Sequence, residues 1–144
     1  MKVVLDANTL VSAYIIRKGT SGQIMLNRAL YTGVATEEIL KEVNHSLHYE
    51  RIRTKYQWSE QRVGTFLATI RKDFQLLKAP PPVHIVAKDP DDDKFFACAK
   101  QAKAEYIVST DKHLREIGEW KGIRVVTPAQ FLKILKEQYA SQFN

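Results

Sequence analysis

Cysteine is almost missing from this chain, with Cys98 the single one among 144 residues. An internal disulfide framework is therefore excluded, and a reducing compartment suits the sequence. Cys98 falls in the apolar stretch Phe95-Phe96-Ala97-Cys98-Ala99, which predicts a packed thiol and not a nucleophile or ligand. Long hydrophobic runs are missing too, since nothing approaches the roughly 20 apolar residues that span a bilayer. The first residues, to about Gly19, are apolar, but Asp6 and Asn8 interrupt them and no small-residue cleavage site follows. That pattern predicts a buried first strand instead of a signal segment, and with it a cytoplasmic protein. There is no internal repeat and no low-complexity tail. Negative charge is in deficit: 16 Asp and Glu face 22 Lys and Arg, a net +6 that favours phosphate-bearing partners.

What is present describes one ordinary domain over residues 1–144, 44% apolar and 26% charged, too apolar for disorder. Lys2 to Asp6 is a continuous β-branched run, as in a parallel strand covered on both faces. Asn8 is placed to cap a helix through about Ile16, and Ser21 a second one to about Tyr31. Gly33-Val34-Ala35 forms a short strand. Thr36 opens a helix with Ile39, Leu40, Val43 and Leu47 on its apolar stripe, fading into Tyr49 to Arg53. A further helix runs from Ser59 to about Phe74, followed by a weak strand at Leu76-Leu77 and an extended connector at Pro80-Pro81-Pro82. Asp91 is placed to cap a helix to about Lys103. Tyr106 to Val108 is a strand, Leu114 to Ile117 a helical turn, and Ile123 to Val126 a strand. Thr127, Pro128 and Gln130 then combine an N-cap, a proline at N1 and a capping-box partner at N3. Alternating strands and helices predict an α/β fold with a mostly parallel central sheet between helical layers, and sites in such folds gather at the carboxyl ends of the strands.

Two strand ends carry an aspartate, Asp6 and Asp111. The run Asp89-Pro90-Asp91-Asp92-Asp93 is acidic, and its members differ in direction. Asp92 lines up with Phe95, Phe96 and Ala99 and should point inward; Asp93 shares a more polar face with Ala97 and Lys100 and is the second candidate. In the helix opened by Thr36, spacing alone leaves Glu42 and Glu37 both open, although a helix dipole accounts more easily for Glu37 in the first turn.

Four segments, Val3 to Asn8, Thr36 to Val43, Asp89 to Asp93 and Val108 to Leu114, resemble in order and spacing the successive acidic motifs of PIN-domain proteins. The likeness spans residues 1 to about 128 and is greatest to the branch of VapC-like toxins of toxin–antitoxin pairs. It implies a three-layer α/β/α sandwich with Asp6, Glu42, Asp92 and Asp111 as catalytic and metal-binding carboxylates and Asn8 and Ser109 as polar support. A threonine often stands where Ser109 does, and the hydroxyl is kept. An all-oxygen cluster selects a hard cation, Mg²⁺ or Mn²⁺, which would relieve the mutual repulsion of the acids. The resemblance further implies endoribonuclease action on single-stranded RNA, leaving a 5′-phosphate and a free 3′-hydroxyl, with a small antitoxin protein as partner.

Arg51, Arg53 and Lys55, interleaved with Tyr56 and Trp58, form one candidate RNA-binding stretch or a packed connector, and Lys112 is a further phosphate contact. His113 is a weaker candidate for a general base, while His45 and His48 read as structural or exposed. An apolar face on the helices before Pro80 offers a surface for a homodimer. Two other classes compete: an RNA-binding module of the same fold without turnover, and an aspartyl-nucleophile phosphohydrolase. The latter expects a second Asp where Asn8 stands.

Overall fold

The computed structural model describes residues 1–56, 58–86 and 89–144. The first strand, β1 (Lys2–Leu5), has Val3, Val4 and Leu5 almost wholly buried, so both of its faces are covered. It leads into α1 (Ala7–Ile15), α2 (Thr20–Leu26) and a 3₁₀ turn at Arg28–Leu30. The chain returns as β2 (Thr32–Thr36) and continues through α3 (Glu37–Leu47), α4 (Glu50–Tyr56), α5 (Glu60–Asp73) and β3 (Gln75–Leu77). After the proline connector come a 3₁₀ turn at Pro90–Asp92, α6 (Asp93–Ala102), β4 (Tyr106–Val108) and α7 (Lys112–Ile117). A hairpin, β5 (Glu119–Trp120) with β6 (Ile123–Val126), and α8 (Pro128–Gln138) complete the chain.

The sheet order is β3-β2-β1-β4-β6-β5, parallel except for β5. Helices flank it, giving the three-layer sandwich expected. β1 lies centrally, with β2 on one side and β4 on the other, so the chain changes direction across the sheet at its carboxyl end. Ligands of open α/β sheets bind in such a crevice. Among the described residues, no helix is long and apolar enough to cross a membrane.

Several local expectations need correction. Asp6, not Asn8, caps α1: Asp6 is the last extended residue (φ −69°, ψ 168°) and its carboxylate accepts the Thr9 N–H, while Asn8 is already inside the helix. The second helix starts at Thr20 after an extended Gly19, not at a Ser21 cap, and stops at Leu26 instead of reaching Tyr31. Asp89, not Asp91, accepts the N–H that opens the Pro90 turn, because Pro90 fixes the first turn residue and leaves Asp91 one position too late. The segment after Leu47 does not fade; it forms the separate helix α4. β5 was not expected at all. Lys121 and Gly122 both have positive φ (49° and 81°), which makes a two-residue turn of the I′ kind and folds Trp120 back onto Ile123.

Elsewhere the caps fall where expected. Thr36 accepts the Ile39 N–H, Ser59 accepts the Arg62 N–H, and Thr127 and Gln130 exchange the two bonds of a capping box. Cys98 is fully buried, and burial pushes its thiol up to about 12, out of reach of ordinary thiolate chemistry.

The crossing of α1 and α2 depends on Gly22, where a Cβ would stand 2.0 Å from the Arg17 carbonyl oxygen. Backbone cannot give way as a side-chain tip can. Gly22→Ala is expected to destabilise the fold by about 3 kcal/mol in urea unfolding. Gly64→Ala in α5, where a Cβ would meet nothing within 4 Å, should instead add about 0.5–1 kcal/mol.

Candidate active site

The pairing of Leu5 with Val108 in the parallel register of β1 and β4 sets the next residues of the two strands, Asp6 and Ser109, side by side. Backbone bonds hold both: the Asp6 N–H donates to the Val108 carbonyl at 3.1 Å and the Ser109 N–H to the Val126 carbonyl at 2.9 Å. The buried Ser109 hydroxyl donates to Asp6 Oδ2 and accepts the Asp111 N–H at 2.9 Å. A single hydroxyl thereby fixes both strand-end acids. Asp6 Oδ1 accepts the Thr9 N–H at 2.8 Å, and Asp111 Oδ1 accepts from His113 and Leu114 at 2.8 and 3.3 Å. Each of these two aspartates therefore caps the helix that follows it.

Asp6 is buried, and desolvation raises its pKa above the usual carboxylate value. The bonds from Ser109 and Thr9 offset that rise in part, and the charge of Asp111 adds to it. Asp92 is the more extreme case. It is only 9% exposed and its Oδ2 is buried without a hydrogen-bond partner among the described residues. Burial, and then repulsion from Asp111, Asp89 and Glu42, pushes it up to about 7, with Lys94 partly compensating.

Glu42 joins this group from α3. Lys94 Nζ meets Glu42 Oε1 at 3.0 Å, and the Lys94 side chain is just 12% exposed. Glu37, the alternative left open by spacing, is drawn to the outside by a two-pronged pair with Arg71 at 3.3 and 3.1 Å. Asp93 turns toward the connector, where Oδ1 accepts the N–H groups of Ile85 and Val86 at 3.0 and 2.7 Å. Asp92 and Asp93 thus have separate tasks, one facing the acids and the other anchoring the proline segment.

Among the described residues, no three His, Cys, Asp or Glu side chains are gathered closely enough to hold a metal ion as they stand. The chemistry of the donors nevertheless fits a hard cation. Among the described residues Asp92 Oδ2 is an orphaned acceptor under the repulsion of three neighbouring carboxylates, which Lys94 offsets in part. Glu42 would have to loosen its hold on Lys94 to complete such a centre.

Other candidates are more dispersed. Asn8 is exposed in the first turn of α1. Lys112 is 83% exposed directly after Asp111. Arg51, Arg53 and Lys55 are exposed on α4, beyond the end of α3; Arg53 lies over the packed Trp58 ring at 5.8 Å, and Lys55 over exposed Tyr56 at 5.3 Å. Gln57 of that stretch lies outside the described residues. His113 is partly buried, and its Nδ1 has no partner among the described residues. His48 bridges the Asn44 carbonyl and Glu60.

Sequence reasoning missed Thr9 and Lys94. Thr9 is buried and its hydroxyl donates to the Val108 carbonyl at 3.3 Å, a second tie between α1 and β4. Lys94 carried a signal that went unused, because a cation in the first turn of a helix opposes the macrodipole unless an acid elsewhere compensates it.

A family model described as the PIN domain matches residues 2–113. An uncharacterised protein of Methanocaldococcus jannaschii is 29% identical over 143 residues, covering 92% of this chain and 90% of its own. Among solved structures, a chain of VapBC2 from Rickettsia felis, crystallised with a DNA fragment from its promoter, is similar with a TM-score of 0.59 at 13% identity. The likeness covers 88% of this chain and 98% of that one.

The raised acids give a signed pH effect. A carboxyl that holds its proton more tightly when folded adds no penalty below its unfolded value near 4, and its full ionisation penalty is reached once the pH passes about 7 for Asp92. Stability in a chelator should therefore fall from pH 4 to pH 8, Asp6 contributing in the same direction. Asp92→Asn should melt a few degrees above the native chain at pH 8 and show no such gain at pH 4. Equal thermal midpoints at pH 8 would mean that protein partners already compensate the carboxylate.

Proposed function

The chain belongs to the PIN-domain family, and from that premise we propose that it is a metal-dependent endoribonuclease cutting single-stranded RNA, the VapC-like toxin of a toxin–antitoxin pair. The observation that carries the proposal is the orphaned Asp92 oxygen amid the charges of Asp111, Asp89 and Glu42. A purely structural cluster is expected to be neutralised by bases or hydrogen bonds, whereas among the described residues this one leaves a buried acceptor that suits a cation.

In this proposal Asp6, Glu42, Asp92 and Asp111 hold Mg²⁺ or Mn²⁺. Bound there, such an ion would supply polarisation of a phosphate oxygen and a water of lowered pKa as nucleophile. Ser109 is a positioning residue: its hydroxyl holds Asp6 Oδ2 and the Asp111 backbone in fixed relation. Lys112, and Arg51, Arg53 and Lys55 on α4, attract the RNA backbone toward a negative site that would otherwise repel it. Asn8 is exposed at the same sheet edge, free to contact the strand. Hydrolysis breaks the bond from phosphorus to the 3′ oxygen, which takes a proton and leaves as the hydroxyl, while the water oxygen stays on the 5′-phosphate.

The antitoxin would dock on the helices. Between α1, α2 and α5 runs a groove of about 560 Å³, with Tyr14, Met25 and Phe66 in its walls and Arg17, Arg28 and Arg62 beside them. Arg28 is already paired with Asp73, but exposed Arg17 and Arg62 suit a small partner with an acidic, amphipathic segment better than a second copy presenting the same charges.

Cleavage of single-stranded RNA should require Mg²⁺ or Mn²⁺ and be abolished by Asp6→Asn or Asp92→Asn, with circular dichroism unchanged. Ser109→Ala should retain activity reduced by about 10–100-fold. Full activity in both aspartate variants would refute the site, and tight RNA binding without cleavage under either metal would assign the chain to the non-catalytic class. The toxin role predicts that the product of a small neighbouring reading frame copurifies with the chain and suppresses cleavage. No such partner, together with harmless overexpression, would leave a nuclease of another role.

A further inference from the structure

A second cavity, of about 310 Å³, reaches Thr110 in the segment that carries Asp111 and is unused by the chemistry above. Ser12 of α1, Ile16 just after it, Ser21 of α2, Thr110, and Pro128 and Ala129 of α8 line it. Its position is informative. Thr110 lies in the chain between Ser109, which holds Asp6, and Asp111, so one short segment serves both the acid site and the cavity.

The lining suits a flat, partly polar group. Ile16, Pro128 and Ala129 supply apolar surface, and Ile16 is 54% exposed, an unusual state for a large aliphatic side chain beside a site. The hydroxyls of Ser12, Ser21 and Thr110 have no protein partner among the described residues, so they remain open to a ligand as donors or acceptors. Cations stand on either side. Arg17 and Lys18 are exposed in the turn between Ile16 and Gly19, both cavity residues, and Lys112 is exposed just beyond Thr110. An apolar pit with unpaired hydroxyls, cations at its rim and a carboxylate centre next door complements a nucleotide: base inside, phosphates outside.

We propose that this cavity receives one nucleobase of the RNA strand, immediately beside the phosphate addressed by the carboxylates, and thereby sets the base preference of cleavage. The proposal rests on the nuclease reading for its consequence in cleavage, but binding of the base can be measured without it. The cavity is near the lower end of the range for small-ligand sites, about 300–1,000 Å³, which fits a single ring system better than a partner's helix.

The test uses the full chain in a chelator, so that turnover plays no part. Ultraviolet crosslinking to a single-stranded RNA of randomised sequence, with modified peptides mapped by mass spectrometry, should label the segment from Ile16 to Ser21 or the start of α8, and sequencing of the crosslinked RNA should show enrichment of one base. Ala129→Phe fills the cavity and Ile16→Ser removes its apolar wall; both positions are exposed, so the thermal midpoint should be kept. Each variant should bind the RNA about tenfold more weakly, the scale of one lost base contact, and lose the base enrichment. Crosslinks confined to other peptides, or native affinity and enrichment in both variants, would overturn the proposal. Absence of cleavage when Mg²⁺ or Mn²⁺ is restored would count against the nuclease reading alone.

Discussion

The parallel register between β1 and β4 is the constraint on which the site depends. It brings Asp6 against Ser109, and the Ser109 hydroxyl joins Asp6 to the Asp111 backbone in one buried chain of hydrogen bonds. A one-residue slip of β1 would turn every side chain of the strand to the opposite face. Because Lys2 and Asp6 bound the buried run Val3, Val4 and Leu5, such a slip would also draw a charged residue into the apolar part of the sheet, and the hydrophobic core so helps to enforce the polar geometry.

Within that frame the acids are held against their own repulsion. Asp6 and Asp111 satisfy part of their charge by capping α1 and α7, and Glu42 by pairing with Lys94. Among the described residues Asp92 has no equivalent bond for its buried oxygen. The burden therefore falls unevenly, and the least satisfied carboxylate is one that faces three others. Capping and ligand duties coexist, since a carboxylate has more lone pairs than one N–H consumes.

Much of the fold was legible because periodicity and caps are local signals. Tyr106 to Val108, Ile123 to Val126 and the capping box of Thr127 and Gln130 agree with the observed elements, and the Thr36 helix buries its expected stripe. Asp92 could be distinguished from Asp93 by its alignment with Phe95 and Phe96, and Asp92 is the one that is buried. The errors came where several residues could perform one local task. Asp6 and Asn8 both cap well, as do Asp89 and Asp91, and only the point at which the backbone leaves the extended region decides between them. β5 escaped notice because two residues carry no period; its existence depends on the turn at Lys121 and Gly122 and on pairing with β6. The partner of Glu42 was illegible for a different reason, as Lys94 lies 52 residues away and only tertiary packing unites them.

Sequence distance also imposes an order in time. The bond between Ser109 and Asp6 spans 103 residues, and the backbone of Ser109 is anchored in turn on Val126. During synthesis the N-terminal aspartate emerges first, yet it has no companion until almost the entire domain has left the ribosome. Non-local pairings form late because loop closure precedes their reward. A nascent or truncated chain ending before β4 therefore carries the first acid of the cluster without the geometry that organises it. Whatever chemistry this site performs is withheld from fragments that end before β4.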